Sequence, residues 1–320
     1  MIYRLQENRA YRSYIGGSRI DKLRGKAECV SGNFPEDWTA STTRAFNPGR
    51  EDIVEGYGRT ANGSYIKELI GEDMPILVKL LDSDERLVIQ AHPTRDFAKR
   101  FMGSPVGKAE CWYFIDTDKD AHVYAGFKKG ITREKWIQLF EVQDVDGMLG
   151  CLHRFNVKKG DCIFIPGGLP HAIGGGCLMV ELQEPSDLMV IPERITPSGR
   201  VLADAKLHCG LGFERMFDVF DYSGYSKEDI RKKLMPERRM ISENISEIVG
   251  EATTDIFTMV EITGNCVYEH NSKYAVIIVT DGIVSINGKS FSKGDTILCV
   301  NENVLDIKGD RFALALSREL

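Results

Sequence analysis

Apolar residues in this chain recur mostly at a spacing of two and in short runs, the pattern of strands rather than of long helices. Strands are expected over 76–81, 87–92, 110–115 and 121–125, and again over 152–157, 161–165 and 177–183. Helical spacing is sparse. A short helix is expected near 64–70, and another begins at Thr132, with Thr132 at its N-cap and Lys135 three residues on. Trp136, Leu139 and Phe140 would form its apolar face. Residues 226–248 are charged and read as helical. From 252 to 320 short strands return, separated by turns such as Thr280-Asp281-Gly282 and Ile286-Asn287-Gly288. The first 75 residues are rich in Gly, Arg, Ser and Asn and carry only short apolar runs. The expected fold is mainly β with helical additions, built as barrels.

Lys159-Gly160-Asp161-Cys162-Ile163-Phe164-Ile165 is echoed 134 residues later by Lys293-Gly294-Asp295-Thr296-Ile297-Leu298-Cys299. Extended without a gap, the alignment sets Leu305 opposite His171. The second copy keeps the turn and strand without the histidine, so it reads as a structural repeat. The expected division is 1–225 as the main unit, 226–250 as a helical connector and 251–320 as a second, metal-free β unit.

Length and charge narrow the functional classes. A chain of 320 residues can bury a sizeable core. Its net charge is −6, with no Lys/Arg-rich run, which argues against nucleic acid or an anionic membrane surface as partner. The N-terminal residues lack the apolar core of a signal peptide, and no stretch approaches the roughly 20 apolar residues of a membrane span. Eight cysteines are scattered with no CxxC pair, as expected of buried reduced thiols in a cytoplasmic protein.

The chemistry concentrates in Gln90-Ala91-His92-Pro93, Glu110 and His171. On a strand Gln90 and His92 would share one face. Two imidazoles, a carboxylate and an amide oxygen could hold one divalent metal. Zinc suits the nitrogens, whereas the amide leaves iron or manganese open. Gly160, Pro166, Gly168 and His171 match the second cupin motif, G-x5-P-x-G-x2-H, in which a glycine turn sets a histidine at a barrel mouth. Gln90-x-His92 is an altered form of the first motif's H-x-H. Two cupin-like (jelly-roll) β-barrels are therefore the expected architecture.

Three segments resemble the type I mannose-6-phosphate isomerases, a zinc-dependent cupin family. They are Leu87-Val88-Ile89-Gln90-Ala91-His92-Pro93, Gly107-Lys108-Ala109-Glu110-Cys111-Trp112, and Pro166-Gly167-Gly168-Leu169-Pro170-His171-Ala172-Ile173. Ile15-Gly16-Gly17 and Glu36-Asp37-Trp38-Thr39-Ala40-Ser41 are weaker similarities. The resemblance implies a metal held by Gln90, His92, Glu110 and His171, and an aldose–ketose isomerisation through an enediol(ate). Lys108 and Glu181 would serve proton transfer, and Lys108 and Asp187 would contact substrate. The family's phosphate-contacting Ser is Val88 here, and its Arg falls at Ile191, leaving Arg194 as the nearest substitute and Arg200 as a remoter one. Those losses keep open an isomerase or epimerase of the same fold acting on another, unphosphorylated sugar. A non-enzymatic sugar-binding cupin is a third class. Oligomeric state is not legible.

Overall fold

The computed structural model describes residues 1–317. Its strands form three antiparallel sheets of nine, six and three strands. The mainly β expectation holds, with short helices added around the sheets.

The six-stranded sheet is the centre of the molecule. Leu77–Ser83, Cys177–Gln183 and Glu110–Thr117 lie side by side within it, flanked by Glu36–Thr39 and Cys162–Ile165. Side chains alternate across a strand, so each central strand has two faces. Val78, Leu80, Cys111, Tyr113, Val180 and Leu182 point one way and pack with Met259, Val276, Ile278 and Leu298 of the nine-stranded sheet. Leu81, Trp112, Phe114 and Met179 point the other way and pack with Val123, Ala125 and Ile173 of the three-stranded sheet. Both faces are covered over most of their length, so these strands read as largely apolar runs, and a charged side chain within the covered part is buried; Asp116, near the end of Glu110–Thr117, is exposed.

Lys79, Glu110 and Glu181 interrupt that pattern, and by parity all three fall on the face toward the three-stranded sheet. The register confirms it: Glu181 stands opposite Lys79 on one side and Trp112 on the other, and Gln183 opposite Glu110.

Thr132 caps the helix Arg133–Glu141, its side chain accepting from the Lys135 N–H at 3.2 Å, and Trp136, Leu139 and Phe140 are buried as expected. The helix near 64–70 is observed as Ile66–Ile70. The two echoed segments make the same turn. Gly160 and Gly294 have φ of 90° and 88°, and Asp161 and Asp295 accept from the backbone N–H of Lys158 and Ser292. A strand follows each turn, and Leu305 is fully buried.

Three expectations need correction. Residues 226–248 are helical only over Lys227–Leu234; Arg239–Ser242 and Ile245–Val249 are strands of the nine-stranded sheet. The charge of this stretch lies mostly in that helix; Arg239–Ser242 holds one charged residue and is solvent-facing throughout. Residues 87–92 are not a regular strand either: Gln90 and Ala91 make isolated bridges, to His171 and Val190. The cysteines are all free, but only Cys111, Cys151, Cys177 and Cys299 are buried as expected; Cys162, Cys209 and Cys266 are half-buried and Cys29 is exposed.

Candidate metal centre and its cleft

His92, Glu110 and His171 are brought together with donor atoms all within 4.8 Å of one another, and each is buried. Three local structures set them. The Gln90–His171 bridge is closed by two N–H···O bonds of 2.9 Å, which aligns the 87–92 segment with the strand His171–Ile173. The turn Pro166-Gly167-Gly168 leads into His171. Gly168 adopts φ 88°, and its N–H donates to the His92 carbonyl at 2.7 Å, tying both histidine segments together. Glu110 opens its strand on the face derived above.

The histidines are oriented from behind. His92 Nδ1 lies 2.9 Å from the Leu188 carbonyl, and His171 Nδ1 lies 2.8 Å from the Leu169 carbonyl. A carbonyl can only accept, so Nδ1 carries the hydrogen and each Nε2 turns a lone pair toward Glu110. His92 Nε2 is 3.2 Å from Glu110 Oε2, and His171 Nε2 is 3.4 Å from Oε1. Burial pushes His171 down to about 3, with His92 adding to the shift. Burial, then Lys108, lowers His92 as well. Both rings are therefore neutral, the form that binds metal. Burial alone would raise Glu110, but Lys108 and His92 outweigh it and hold its carboxyl well below the usual range. Trp112, two residues along the same strand, donates its indole N–H to Glu110 Oε1 at 3.0 Å.

These residues fit a metal ion. His171 Nε2 is buried without a hydrogen-bond partner, which is costly for a polar atom unless a ligand engages it. Neutral imidazoles fixed through Nδ1 and a carboxylate fixed by an indole N–H are the outer support that metal ligands need. Lys108 Nζ lies 2.8 Å from His92 Nε2 and 2.6 Å from Glu110 Oε2, contacts for which a metal would compete. Gln90 lines the same cleft.

A buried charge network adjoins the cluster, in a cavity of about 40 Å³ lined also by Val88, Met189 and Ile191. Lys79 Nζ lies 3.2 Å from Glu181 and 3.6 Å from Glu36, and Lys108 lies 3.8 Å from Glu181. Arg12 forks onto Asp187 with two contacts of 3.1 Å and reaches Glu36 at 2.9 Å. Burial pushes Glu181 up to about 7, against the pull of Lys79 and with Glu110 adding to the rise.

Lys108 lies against the His92–Glu110–His171 cluster, Glu181 lies beyond Lys108, and Asp187 lines the same cavity. Arg194 does not. Its guanidinium pairs with Asp204 at 3.1 Å and stacks on the Phe140 and Phe213 rings, each 4.8 Å away. The intervening loop does not bend it toward the cleft; the aromatic cluster holds it outside. Arg200 is likewise taken up by Tyr11. Sequence reasoning missed Arg12, Glu36, Lys79 and Lys206. Lys79 carried a signal: a lysine inside Ile76-Leu77-Val78-Lys79-Leu80-Leu81 must find a buried partner.

Residues 8–126 match the family model "Phosphomannose isomerase type I, catalytic domain". Mannose-6-phosphate isomerase ManA of Bacillus subtilis is 39% identical over 120 residues, 38% of this chain and 37% of that protein. Mannose-6-phosphate isomerase of Streptococcus mutans is 35% identical over 186 residues, 57% of either chain. The alignments thus span between about a third and somewhat over half of these relatives' lengths. In three dimensions the crystal structure of mannose 6-phosphate isomerase from Bacillus subtilis superposes with a TM-score of 0.74 at 21% identity, covering 98% of both chains. The fold is therefore the one shared by these isomerase structures.

Proposed function

We propose that this chain, a relative of the type I phosphomannose isomerases over its catalytic segment, interconverts mannose 6-phosphate and fructose 6-phosphate. The observation that carries the reading is the buried His92–Glu110–His171 cluster, with an unpartnered His171 Nε2, beside Lys108 and Glu181. Gln90 completes the proposed ligand set, and zinc is the proposed metal, one ion per chain. When bound it supplies Lewis-acid stabilisation of the charge that develops on the substrate oxygen.

The protein's own groups do the rest. Isomerisation takes the proton from C2 of the aldose and delivers one to C1, while the hydroxyl proton passes from O2 to O1. Glu181, poised at about 7 between two lysines, suits the carbon-to-carbon proton transfer, because a group with a pKa near working pH gives and takes protons readily. Lys108 suits the oxygen side, its ammonium facing the same corner as Glu110. A cytoplasmic location accords with this chemistry and with eight free cysteines.

A second reading, a same-fold isomerase or epimerase acting on an unphosphorylated sugar, draws on Val88 and Ile191. Both line the cleft as apolar walls at the positions where the resemblance expects Ser and Arg. Kinetics with mannose 6-phosphate and with mannose separate the two. Turnover confined to the phosphorylated sugar supports the first reading, and turnover of mannose alone supports the second.

A further inference from the structure

Among the described residues, one cation of the cleft has no carboxylate within ion-pair distance. Arg12, Lys79 and Lys108 are each paired with acidic side chains. Lys206, only 9% exposed, makes a single hydrogen bond, donating to the Phe46 carbonyl at 2.7 Å. An ammonium has three donors, so two of them lack partners. Burying a charge with one neutral acceptor costs stability, and such groups concentrate where a ligand completes them. Burial pushes Lys206 down to about 8, against the attraction of Asp187.

The position suits a ligand. Lys206 lies on the short helix Asp204–His208 and lines the same cavity as Gln90 and Glu110. Its neighbour Leu207 accepts from the Ile191 N–H at 2.8 Å and packs on Val88, so the ammonium stands beside an apolar corner where fields are weakly screened. The cleft's four basic and four acidic side chains balance formally, and a divalent ion at the histidines adds two positive charges. That surplus favours an anionic ligand, and Lys206 is the site of free donors.

Phe46 covers the place. Its N–H donates to Asp187 Oδ2 at 2.7 Å, its carbonyl accepts from Lys206, and its ring lies 5.4 Å from the ammonium. Phe46 is 39% exposed and lies outside the strands and helices.

We propose that Lys206 receives the anionic end of the substrate, exchanging the Phe46 carbonyl for phosphoryl oxygens, and so selects a phosphorylated sugar. The proposal deepens the isomerase reading and rests on it for the nature of the substrate. Lys206→Met keeps the length of the side chain, removes the charge and leaves Asp187 paired with Arg12. Binding of inorganic phosphate to the metal-loaded protein is measured by calorimetry, alongside KM for mannose 6-phosphate. A charge-assisted contact predicts affinity for phosphate lower by about 10- to 100-fold in the variant, with a matching rise in KM and a smaller change in kcat. Lys206→Arg recovers part of the affinity. Equal phosphate affinity in wild type and Lys206→Met overturns the proposal, as does an unchanged KM. If wild type binds phosphate through Lys206 but does not turn over mannose 6-phosphate, the isomerase reading falls and the anion site stands.

Discussion

Replacing Trp112 by Phe should loosen metal binding without touching a ligand. The indole N–H is 3.0 Å from Glu110 Oε1, and both residues are fully buried. Phe keeps a ring in the core but leaves that carboxylate oxygen with one donor fewer. A hydrogen bond to a charged acceptor contributes about 1.5–3 kcal/mol, equivalent to roughly 10- to 150-fold in an equilibrium constant. Outer-support mutations at metal sites cost about 10- to 100-fold in affinity. The two estimates agree, so a loss of about one to two decades in metal affinity is expected, read by competition with a chelator of known strength. Loss of packing is the rival explanation, and Tyr113→Phe separates it. Tyr113 is the next residue on the same strand, faces the nine-stranded sheet and donates to Glu261. It should lower stability without weakening metal binding. Metal affinity unchanged in Trp112→Phe, or lowered equally in both variants, would refute the reasoning.

His171→Ala removes the unpartnered nitrogen and should leave the purified protein without bound metal; a normal metal content after dialysis would exclude His171 as ligand. Glu181 is predicted to set an acid limb near pH 7 in kcat/KM, and Glu181→Gln to lower kcat by about 10²- to 10⁴-fold; a limb unmoved in the variant would assign it to another group. The stability effect has a definite sign. Glu181 rises from 4.5 to about 7 on folding, so its contribution is full below about 4.5 and is lost as pH climbs through about 7. Unfolding titrations of wild type against Glu181→Gln check this, since the variant should lack that slope. Arg194→Ala should leave KM for sugar phosphate as in wild type, since its guanidinium is occupied by Asp204 and two aromatic rings; a raised KM would return Arg194 to the site.

Much of the His92–Glu110–His171 cluster was legible because it depends on local spacing. Glu110 begins a strand, and His171 follows a proline–glycine turn that allows few conformations. The strand expected over 87–92 was wrong in kind but right in consequence: one bridge to His171 and one to Val190 align Gln90 and His92 as well as a longer ladder would. The charge network was not legible, for a physical reason. Arg12, Glu36, Lys79, Glu181 and Lys206 are far apart in sequence and meet only through the pairing of Glu36–Thr39, Leu77–Ser83 and Cys177–Gln183 and through a short helix beyond. Register, not periodicity, decides which charges face each other. Residues 226–248 misled because the charged helical pattern of Lys227–Leu234 was extended over Arg239–Ser242 and Ile245–Val249, which hold one charged residue each and pair as strands.

The proposed activity is a metal-dependent sugar-phosphate isomerisation centred on His92, Glu110 and His171. It is tested most directly by a coupled assay of the purified protein with mannose 6-phosphate, before chelation, after chelation and after zinc is restored. Turnover that chelation removes and zinc returns is expected. Turnover that survives complete removal of metal, or none with metal verified as bound, would contradict it.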